Sequence, residues 1–203
     1  MNVEQCYSAL CNSPSDINEH LPTLKRYASE CDHVIELGVR WVVSTFAFAV
    51  AKPKKFISID IVDPRNLTQE SLHWDSHQCG DRMNGIIDYC SLNNIDYQFI
   101  LGDTTKIEIE ETDLLFIDTL HTHNQITTEL KLHGNKARKY LIFHDTVNYR
   151  FTNEPGEATG SPILEGDGIW TAIEKFIIEN PQWKIHEIFT NCNGLTVLKR
   201  DNG

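Results

Sequence analysis

Two short apolar runs, each followed directly by ionisable side chains, constrain the fold of this chain more than any other feature. Leu114–Ile117 ends at Asp118, and Tyr140–Phe143 ends at His144 and Asp145. Continuous apolar runs of this length are typical of strands that are buried on both faces. The two runs therefore predict two buried strands, each with charged or imidazole groups at its carboxyl end.

The residues between the two runs follow a helical pattern. Thr122 can act as the N-cap, Gln125 completes a capping box three residues later, and Gly134 can end the helix as its C′ residue. Two parallel strands joined by a crossover helix bring their carboxyl ends to one edge of a sheet, where open α/β sheets bind ligands. We expect Asp118 and the His144-Asp145 pair to lie side by side at that edge.

A second strand-to-helix turn lies earlier in the chain. The strand pattern His33–Leu37 runs into Gly38, and the strand pattern Lys55–Ile59 ends at Asp60. A glycine lets the backbone approach a ligand, and the following helix N-terminus offers free N–H groups. An acid roughly 20 residues beyond such a turn is placed to accept hydrogen bonds from a ribose diol. The pair of features predicts a nucleotide-type ligand site.

The remaining patterns complete an α/β fold. They predict a Rossmann-like, doubly wound, mostly parallel seven-stranded sheet that ends in an antiparallel hairpin, with helices on both faces. Asp103 follows a third strand and either reaches a cofactor base or caps the next turn. The other elements are a strand at Tyr97–Leu101, helices at Asp81–Leu92 and Ile169–Ile177, and a hairpin turn at Asn193-Gly194.

The N-terminal residues and two long loops surround this predicted sheet. A helix is expected over residues 13–31, with Ser13 as N-cap and Pro14 at its first position, either packing on the domain or facing the substrate. Loops 61–80 and 146–168 are long enough to shape a site, and 146–168 is a candidate lid. We expect one domain over residues 1–203, with residues 1–31 as a helical extension.

Composition excludes several classes of function. The net charge of −11 disfavours nucleic-acid and anionic-membrane surfaces, because both need a positive field. No apolar run approaches the roughly 20 residues that span a bilayer, and the first residues lack the pattern of a signal peptide. Six scattered cysteines form no CxxC pair. The sequence therefore predicts a cytoplasmic protein with reduced thiols.

Four short motifs together resemble a known family. They are Glu36-Leu37-Gly38 followed by Ser44-Thr45, then Asp60, then Ile117-Asp118 with His121, and then His144-Asp145-Thr146. Over about residues 30–200 the chain resembles class I S-adenosylmethionine-dependent methyltransferases. More narrowly, it is similar to the small cephalosporin-hydroxylase-like and sugar O-methyltransferases.

The resemblance implies a role for each matching residue. Asp118 would face both the cofactor sulfonium and the substrate. In metal-dependent relatives the acids after strands four and five hold a divalent cation such as Mg²⁺, which implies Asp118, Asp145 and the neighbouring His144 as ligands. The residues implied for the cofactor S-adenosylmethionine are Glu36, Gly38 and Ser44 at the methionine and ribose part, Asp60 at the ribose hydroxyls, and Asp103 with Thr104 at the adenine.

The implied reaction is methylation of a hydroxyl on a small molecule or sugar unit, with Asp118, His121 and His144 as catalytic residues. A histidine could accept the hydroxyl proton near neutral pH. Alternatively, His121 and His144 serve only to fix backbone at the ends of their elements. The sequence leaves the acceptor's identity and the choice between monomer and homodimer open.

One departure from the family motivates a second hypothesis. Relatives carry a second glycine where this chain has Val42, so the alternative is an adenosyl-ligand-binding protein without catalysis. A third hypothesis, a nicotinamide oxidoreductase, lacks its Gly-x-Gly-x-x-Gly motif after the first strand.

Overall fold

A seven-stranded sheet organises the chain. The computed structural model describes residues 1–67, 77–155 and 167–201. The strands run in the order β3-β2-β1-β4-β5-β7-β6. Strands β1 to β5 are parallel, whereas β7 is antiparallel to both β5 and β6. The strands are β1 His33–Leu37, β2 Lys55–Asp60, β3 Asp96–Leu101, β4 Thr112–Ile117, β5 Ala137–His144, β6 Trp183–Phe189 and β7 Leu195–Arg200.

Helices cover both faces of the sheet. Alternate residues of β1 show this, since Val34 packs into the core on one face and Ile35 into the core on the other. The first face is covered by α1 Val3–Asn12, α2 Leu21–Ala28, α3 Ser44–Ala51 and α4 His77–Leu92, and the second by α5 His123–His133 and α6 Ile169–Glu179. The predicted fold class is confirmed. Within the described residues, no helix is long and apolar enough to span a membrane.

The register of the parallel strands aligns the predicted site residues. Leu37 pairs with Ile59 of β2 and with Ile117 of β4, and Ile117 pairs with Phe143 of β5. The residues that follow these four positions are Gly38, Asp60, Asp118 and His144, so they form one row along the carboxyl edge. The chain order reverses between β1 and β4, and ligands bind at such a switch point.

The helix predicted over residues 13–31 is wrong in its boundaries. Ser13 ends α1 instead of starting a helix, because its N–H donates to the carbonyl of Leu10 and its hydroxyl donates to that of Ala9. A short 3₁₀ turn at Asn18–His20 precedes α2, which has Pro22 in its first turn. The sequence does signal α1, since the Asn2 side chain caps it by accepting from the N–H of Gln5.

Gly134 has a different role from the predicted C′ stop. Its φ of −53° and ψ of −44° are right-handed helical and lead into a 3₁₀ turn at Gly134–Lys136. A Cβ on Gly134 would lie 2.7 Å from the Phe176 ring. The glycine is therefore needed for the close packing of α5 against α6. At the other end, α5 begins as predicted, with the Thr122 hydroxyl accepting from the N–H of Gln125 at 3.2 Å.

Two predicted loops are described only in part. Residues 68–76 of the 61–80 loop and 156–166 of the candidate lid lie outside the described residues. Helix α4 begins at His77, four residues before the predicted start at Asp81. The hairpin at Asn193-Gly194 is confirmed, and it joins β6 to β7.

Candidate active site

One cavity of about 660 Å³ follows the carboxyl edge of the sheet. This volume lies within the range of small-molecule sites. The predicted site residues that line it are Gly38, Ser44, Asp60, Asp103, Thr104, Asp118, His121 and Asp145. Glu36 and His144 are not in its wall and lie fully or almost fully buried behind it.

Asp60 shapes the glycine turn at one end of the cavity. Its Oδ2 accepts hydrogen bonds from the N–H groups of Val39 at 2.7 Å and Arg40 at 3.0 Å, and its Oδ1 accepts from Val62 at 2.8 Å. A carboxylate has about four acceptor positions, so Asp60 can hold the turn and still accept from a ligand hydroxyl. Asp60 therefore lies next to the glycine turn, as the sequence predicted.

Gly38 is required by the neighbouring strand. Its φ is +88°, and a Cβ there would lie 2.0 Å from the carbonyl oxygen of Asp118. The sequence predicted that this glycine lets the backbone lie close to a ligand. The structure shows that it also permits close approach of the β4 backbone, which brings Asp118 to the cavity.

Val42 is strained in its backbone without crowding the cavity. Its φ is +57°, a left-handed conformation that a β-branched residue rarely adopts. The side chain is fully buried in the core and is not part of the cavity wall. A glycine at this position would suit the backbone, and the valine adds strain there.

Glu36 supports the turn from beneath. It is fully buried and accepts hydrogen bonds from the hydroxyls of Ser44 at 2.5 Å, Ser58 at 2.8 Å and Thr45 at 3.0 Å. Burial raises the pKa of Glu36 to about 7, although these hydroxyls favour the ionised form. Glu36 was predicted to contact the cofactor, but the structure places it behind Ser44, whose position it fixes.

Thr104 and Asp103 lie at the end of the cavity beside β3. The Thr104 hydroxyl donates to buried Glu129 and accepts from Gln125 Nε2 at 3.2 Å. The Asp103 carboxylate accepts from Thr105 and Lys106, which lower its pKa to about 2. Asp103 therefore caps its own turn, as one of the two sequence hypotheses held, and it also lines the cavity.

The opposite end of the cavity holds a cluster of acids and histidines. Nε2 of His121 lies 2.9 Å from Oδ2 of Asp145 and 3.3 Å from Oδ1 of Asp118. Nδ1 of His144 lies 3.2 Å from the same Asp118 oxygen and 3.1 Å from the same Asp145 oxygen. The structure thus brings Asp118, His144 and Asp145 together, as their positions at strand ends predicted, and adds His121 to them.

Both nitrogens of His144 face only acceptors. Its Nε2 lies 3.1 Å from the carbonyl oxygens of Asp16 and Cys192, so it must donate its proton there. Burial alone would lower the pKa of His144, but Asp118 and Asp145 raise it well above its usual value. The ring therefore ties the N-terminal segment and the hairpin turn to the two acids.

His121 is surrounded by three carboxylates. Besides Asp118 and Asp145, Oε2 of Glu154 lies 2.9 Å from its Nδ1. Burial opposes the charge, but these carboxylates raise the pKa of His121 to about 12. Tyr149 stacks on the ring with centroids 4.9 Å apart and an interplanar angle of 8°.

The pKa values of the two aspartates shift in the opposite direction, below their usual range. Burial would raise the pKa values of Asp118 and Asp145, but the two neighbouring rings lower that of Asp118 below its usual range and that of Asp145 to about 2. All the acids of the cluster are therefore ionised at neutral pH.

Three side chains of the cluster could hold a metal ion. One ligand atom from each of Asp118, His121 and Asp145 lies within 4.8 Å of the others. Asp145 Oδ1 is buried without a hydrogen-bond partner among the described residues, and Asp145 has a φ of +59°. An orphaned carboxylate oxygen on a strained residue fits a cation ligand. The resemblance implied His144 as third ligand, whereas the structure brings His121 to that place.

The sequence reasoning missed several residues of the cavity wall. Asp16 and Ile17 come from the N-terminal segment, which packs on the domain and also reaches the cavity wall. No local pattern marks the others, because they come from loops that meet only in the folded chain. Among them are Arg40, Trp41, Tyr149 and Glu154.

Solved structures share this fold at low sequence identity. The O-methyltransferase from Bacillus cereus in complex with SAH is 14% identical with a TM-score of 0.58, covering 98% of this chain and 88% of that one. Cofactor-bound Rv0187 from MTB is 11% identical with a TM-score of 0.60, covering 100% and 91%. The SAH-bound Podospora anserina methyltransferase PaMTH1 is 12% identical with a TM-score of 0.53, covering 98% and 97%.

A family model that matches all seven strands of the sheet identifies the family of this chain. None of the curated proteins matches this sequence. The model of the Rhamnosyl O-methyltransferase/CmcI family matches residues 9–201, which include every strand and both ends of the cavity. The chain therefore belongs to the Rhamnosyl O-methyltransferase/CmcI family and is a class I S-adenosylmethionine-dependent O-methyltransferase.

Proposed function

We propose that this enzyme methylates a hydroxyl group of a sugar unit or similar small molecule, with a divalent cation at the acid–histidine cluster. One observation carries the proposal: a single cavity is lined both by the glycine turn with Asp60 and by the cluster of Asp118, His121 and Asp145. The first group suits an adenosyl ligand and the second an acceptor oxygen. Methyl transfer requires both ligands to be held in line.

The chain's own residues divide the work along the cavity. Asp60 accepts from ribose hydroxyls, Ser44 and Gly38 bound the methionine part, and Asp103 lies with Thr104 beside the base. At the other end, Asp118 uses only Oδ1 for its two histidine contacts. Its Oδ2 is the atom that we assign to receive the acceptor's proton.

We assign the general base to Asp118, whereas the sequence suggested that a histidine accepts the proton. Both nitrogens of His144 face acceptors, and so do both nitrogens of His121. Neither ring offers a lone pair toward the cavity in this arrangement. His144 therefore positions the carboxylates of Asp118 and Asp145. Asp118 remains the catalytic residue of the proposed reaction.

Charge supports a cation held by Asp118, His121 and Asp145. Two protonated rings face three carboxylates, so within this group of five side chains the negative charges exceed the positive charges by one. A divalent cation held there would take the place of the proton on Nε2 of His121, which would be released to solvent, and would balance the charges of these five side chains. When bound, such a cation lowers the pKa of a hydroxyl that it coordinates.

Composition and family support the proposed acceptor and location. The family includes rhamnosyl O-methyltransferases, which supports a sugar acceptor, and a net charge of −11 disfavours a nucleic-acid acceptor. We propose a cytoplasmic location, because the scattered cysteines form no CxxC pair. We propose that residues 1–203 form one catalytic unit.

Two variants test the division of the cavity. The wild-type chain is titrated calorimetrically with S-adenosylhomocysteine, and methyl transfer from S-adenosylmethionine to a methyl rhamnoside is followed by product mass. Asp60→Asn should weaken S-adenosylhomocysteine binding about tenfold and Asp118→Asn should lower turnover at least about 100-fold with binding retained. Absence of S-adenosylhomocysteine binding to the wild type would refute the proposal.

A further inference from the structure

The third ligand of the candidate cation site is a nitrogen whose orientation is set by another segment of the chain. Nε2 of His121 faces Asp118 and Asp145, and the opposite nitrogen, Nδ1, lies 2.9 Å from Oε2 of Glu154. Glu154 follows β5 by ten residues and has no counterpart among the motifs of the sequence. Its carboxylate fixes which nitrogen faces the cavity.

The loop that carries Glu154 is attached to the residues around His121. The N–H of Glu154 donates to the carbonyl of His121 at 2.9 Å, and the N–H of His121 lies 3.3 Å from Glu154 Oε2. The Asn153 side chain accepts from the N–H of His123 at 2.7 Å, and Tyr149 covers the ring face. These contacts hold the imidazole against rotation.

A histidine ligand held in this way changes the choice of metal. A carboxylate that accepts from the outer ring nitrogen fixes the tautomer and raises the basicity of the inner nitrogen. Imidazole suits first-row transition metals, whereas Mg²⁺ prefers an all-oxygen, largely hydrated octahedron. For mixed nitrogen and oxygen ligands, affinity rises from Mn²⁺ through Fe²⁺ and Co²⁺.

We infer that the Asp118–His121–Asp145 site prefers a first-row transition cation to Mg²⁺, because Glu154 presents His121 Nε2 as its third ligand. The buried, unpartnered Oδ1 of Asp145 is the independent observation that points to a ligand there. The inference rests on the proposed function and adds its metal class.

The test compares Co²⁺ with Mg²⁺ as probes of the full chain. Each cation is titrated calorimetrically in the presence of S-adenosylhomocysteine, and the visible absorption of bound Co²⁺ reports nitrogen ligation. We expect Co²⁺ to bind at least about tenfold more tightly than Mg²⁺. In His121→Asp, which keeps three ligands but makes all of them oxygen, this ratio should fall at least about tenfold.

A second variant isolates Glu154. Glu154→Gln keeps the shape but lowers the basicity of the acceptor, and it should weaken Co²⁺ binding about 10- to 100-fold. Glu19→Gln is the matched control, because it also removes one negative charge, and its side chain contacts Asn191 instead of His121. It should leave the Co²⁺ to Mg²⁺ ratio unchanged.

The outcomes separate the inference from the proposed function. Equal binding of the two cations, no binding of either, or an unchanged ratio in His121→Asp would overturn the inference. A separate calorimetric titration of each protein with S-adenosylhomocysteine measures the affinity for that ligand. If the wild type binds S-adenosylhomocysteine but shows no preference between the two cations, the inference alone is refuted. If the wild type does not bind S-adenosylhomocysteine, the proposed function is refuted.

Discussion

The carbonyl oxygen of Asp118 lies where a Cβ of residue 38 would be, at 2.0 Å from the ideal position. Gly38 follows the first strand and Asp118 follows the fourth, so this contact joins the cofactor turn to the acid–histidine cluster. The N–H of Asp118 also donates to the carbonyl of Leu37 at 2.9 Å. The two halves of the cavity are therefore fixed to each other through backbone.

Gly38→Ala should be strongly destabilising. The substitution adds a clash with backbone and imposes a φ of +88° on alanine, which together should lower the free energy of unfolding by about 3 kcal/mol or more. Urea denaturation measures it. Gly80→Ala is the control, because among the described residues a Cβ on Gly80 would meet only Arg65, at an ordinary 3.6 Å. Equal stability of Gly38→Ala and wild type would contradict the contact.

Glu36 should make stability fall as the pH rises. Burial raises its pKa in the folded state to about 7, above the 4.5 of an exposed glutamate. Between these values the unfolded chain releases the proton and the folded chain retains it, so the stability present below pH 4.5 is lost as the pH rises through 7. The difference between wild type and Glu36→Gln should fall by about 3 kcal/mol over this window. A difference that does not change with pH would refute the assignment.

Val42 should reverse the usual ranking of alanine and glycine. Both Val42→Ala and Val42→Gly lose the buried side chain, but only glycine relieves the left-handed backbone at φ +57°. We expect Val42→Gly to be as stable as Val42→Ala or more stable, by up to about 1 kcal/mol. Val50, a buried valine within α3, is the control, and there alanine should be favoured by about 1 kcal/mol. The same order at both sites would count against strain at Val42.

Gly134 and Phe176 should be energetically coupled. Gly134→Ala alone should destabilise the protein by about 1–3 kcal/mol, because its Cβ would meet the Phe176 ring at 2.7 Å. In a Phe176→Leu background the same change should be neutral or stabilising, since the backbone of residue 134 is already helical. A double-mutant cycle measures this coupling. Additive effects would show that the ring does not limit residue 134.

The sequence by itself determined the sheet and the row of residues at its edge. Apolar runs such as Leu114–Ile117 and the hairpin turn at Asn193-Gly194 are local patterns whose period and length fix strand and turn. The rule that parallel strands share a carboxyl edge then placed Asp60, Asp118 and Asp145 beside one cavity. Helix boundaries were less secure, because Ser13 can serve equally well at either end of a helix.

Only the tertiary structure decided what each side chain does. Glu36 lies under the turn because three hydroxyls from α3 and β2 surround it. His144 has a structural role because its Nε2 donates to the carbonyl oxygens of Asp16 and Cys192. His121 faces the acids because Glu154 binds its other nitrogen. These contacts join segments that are far apart in the chain, and local periodicity carries no information about which atoms will meet across such distances.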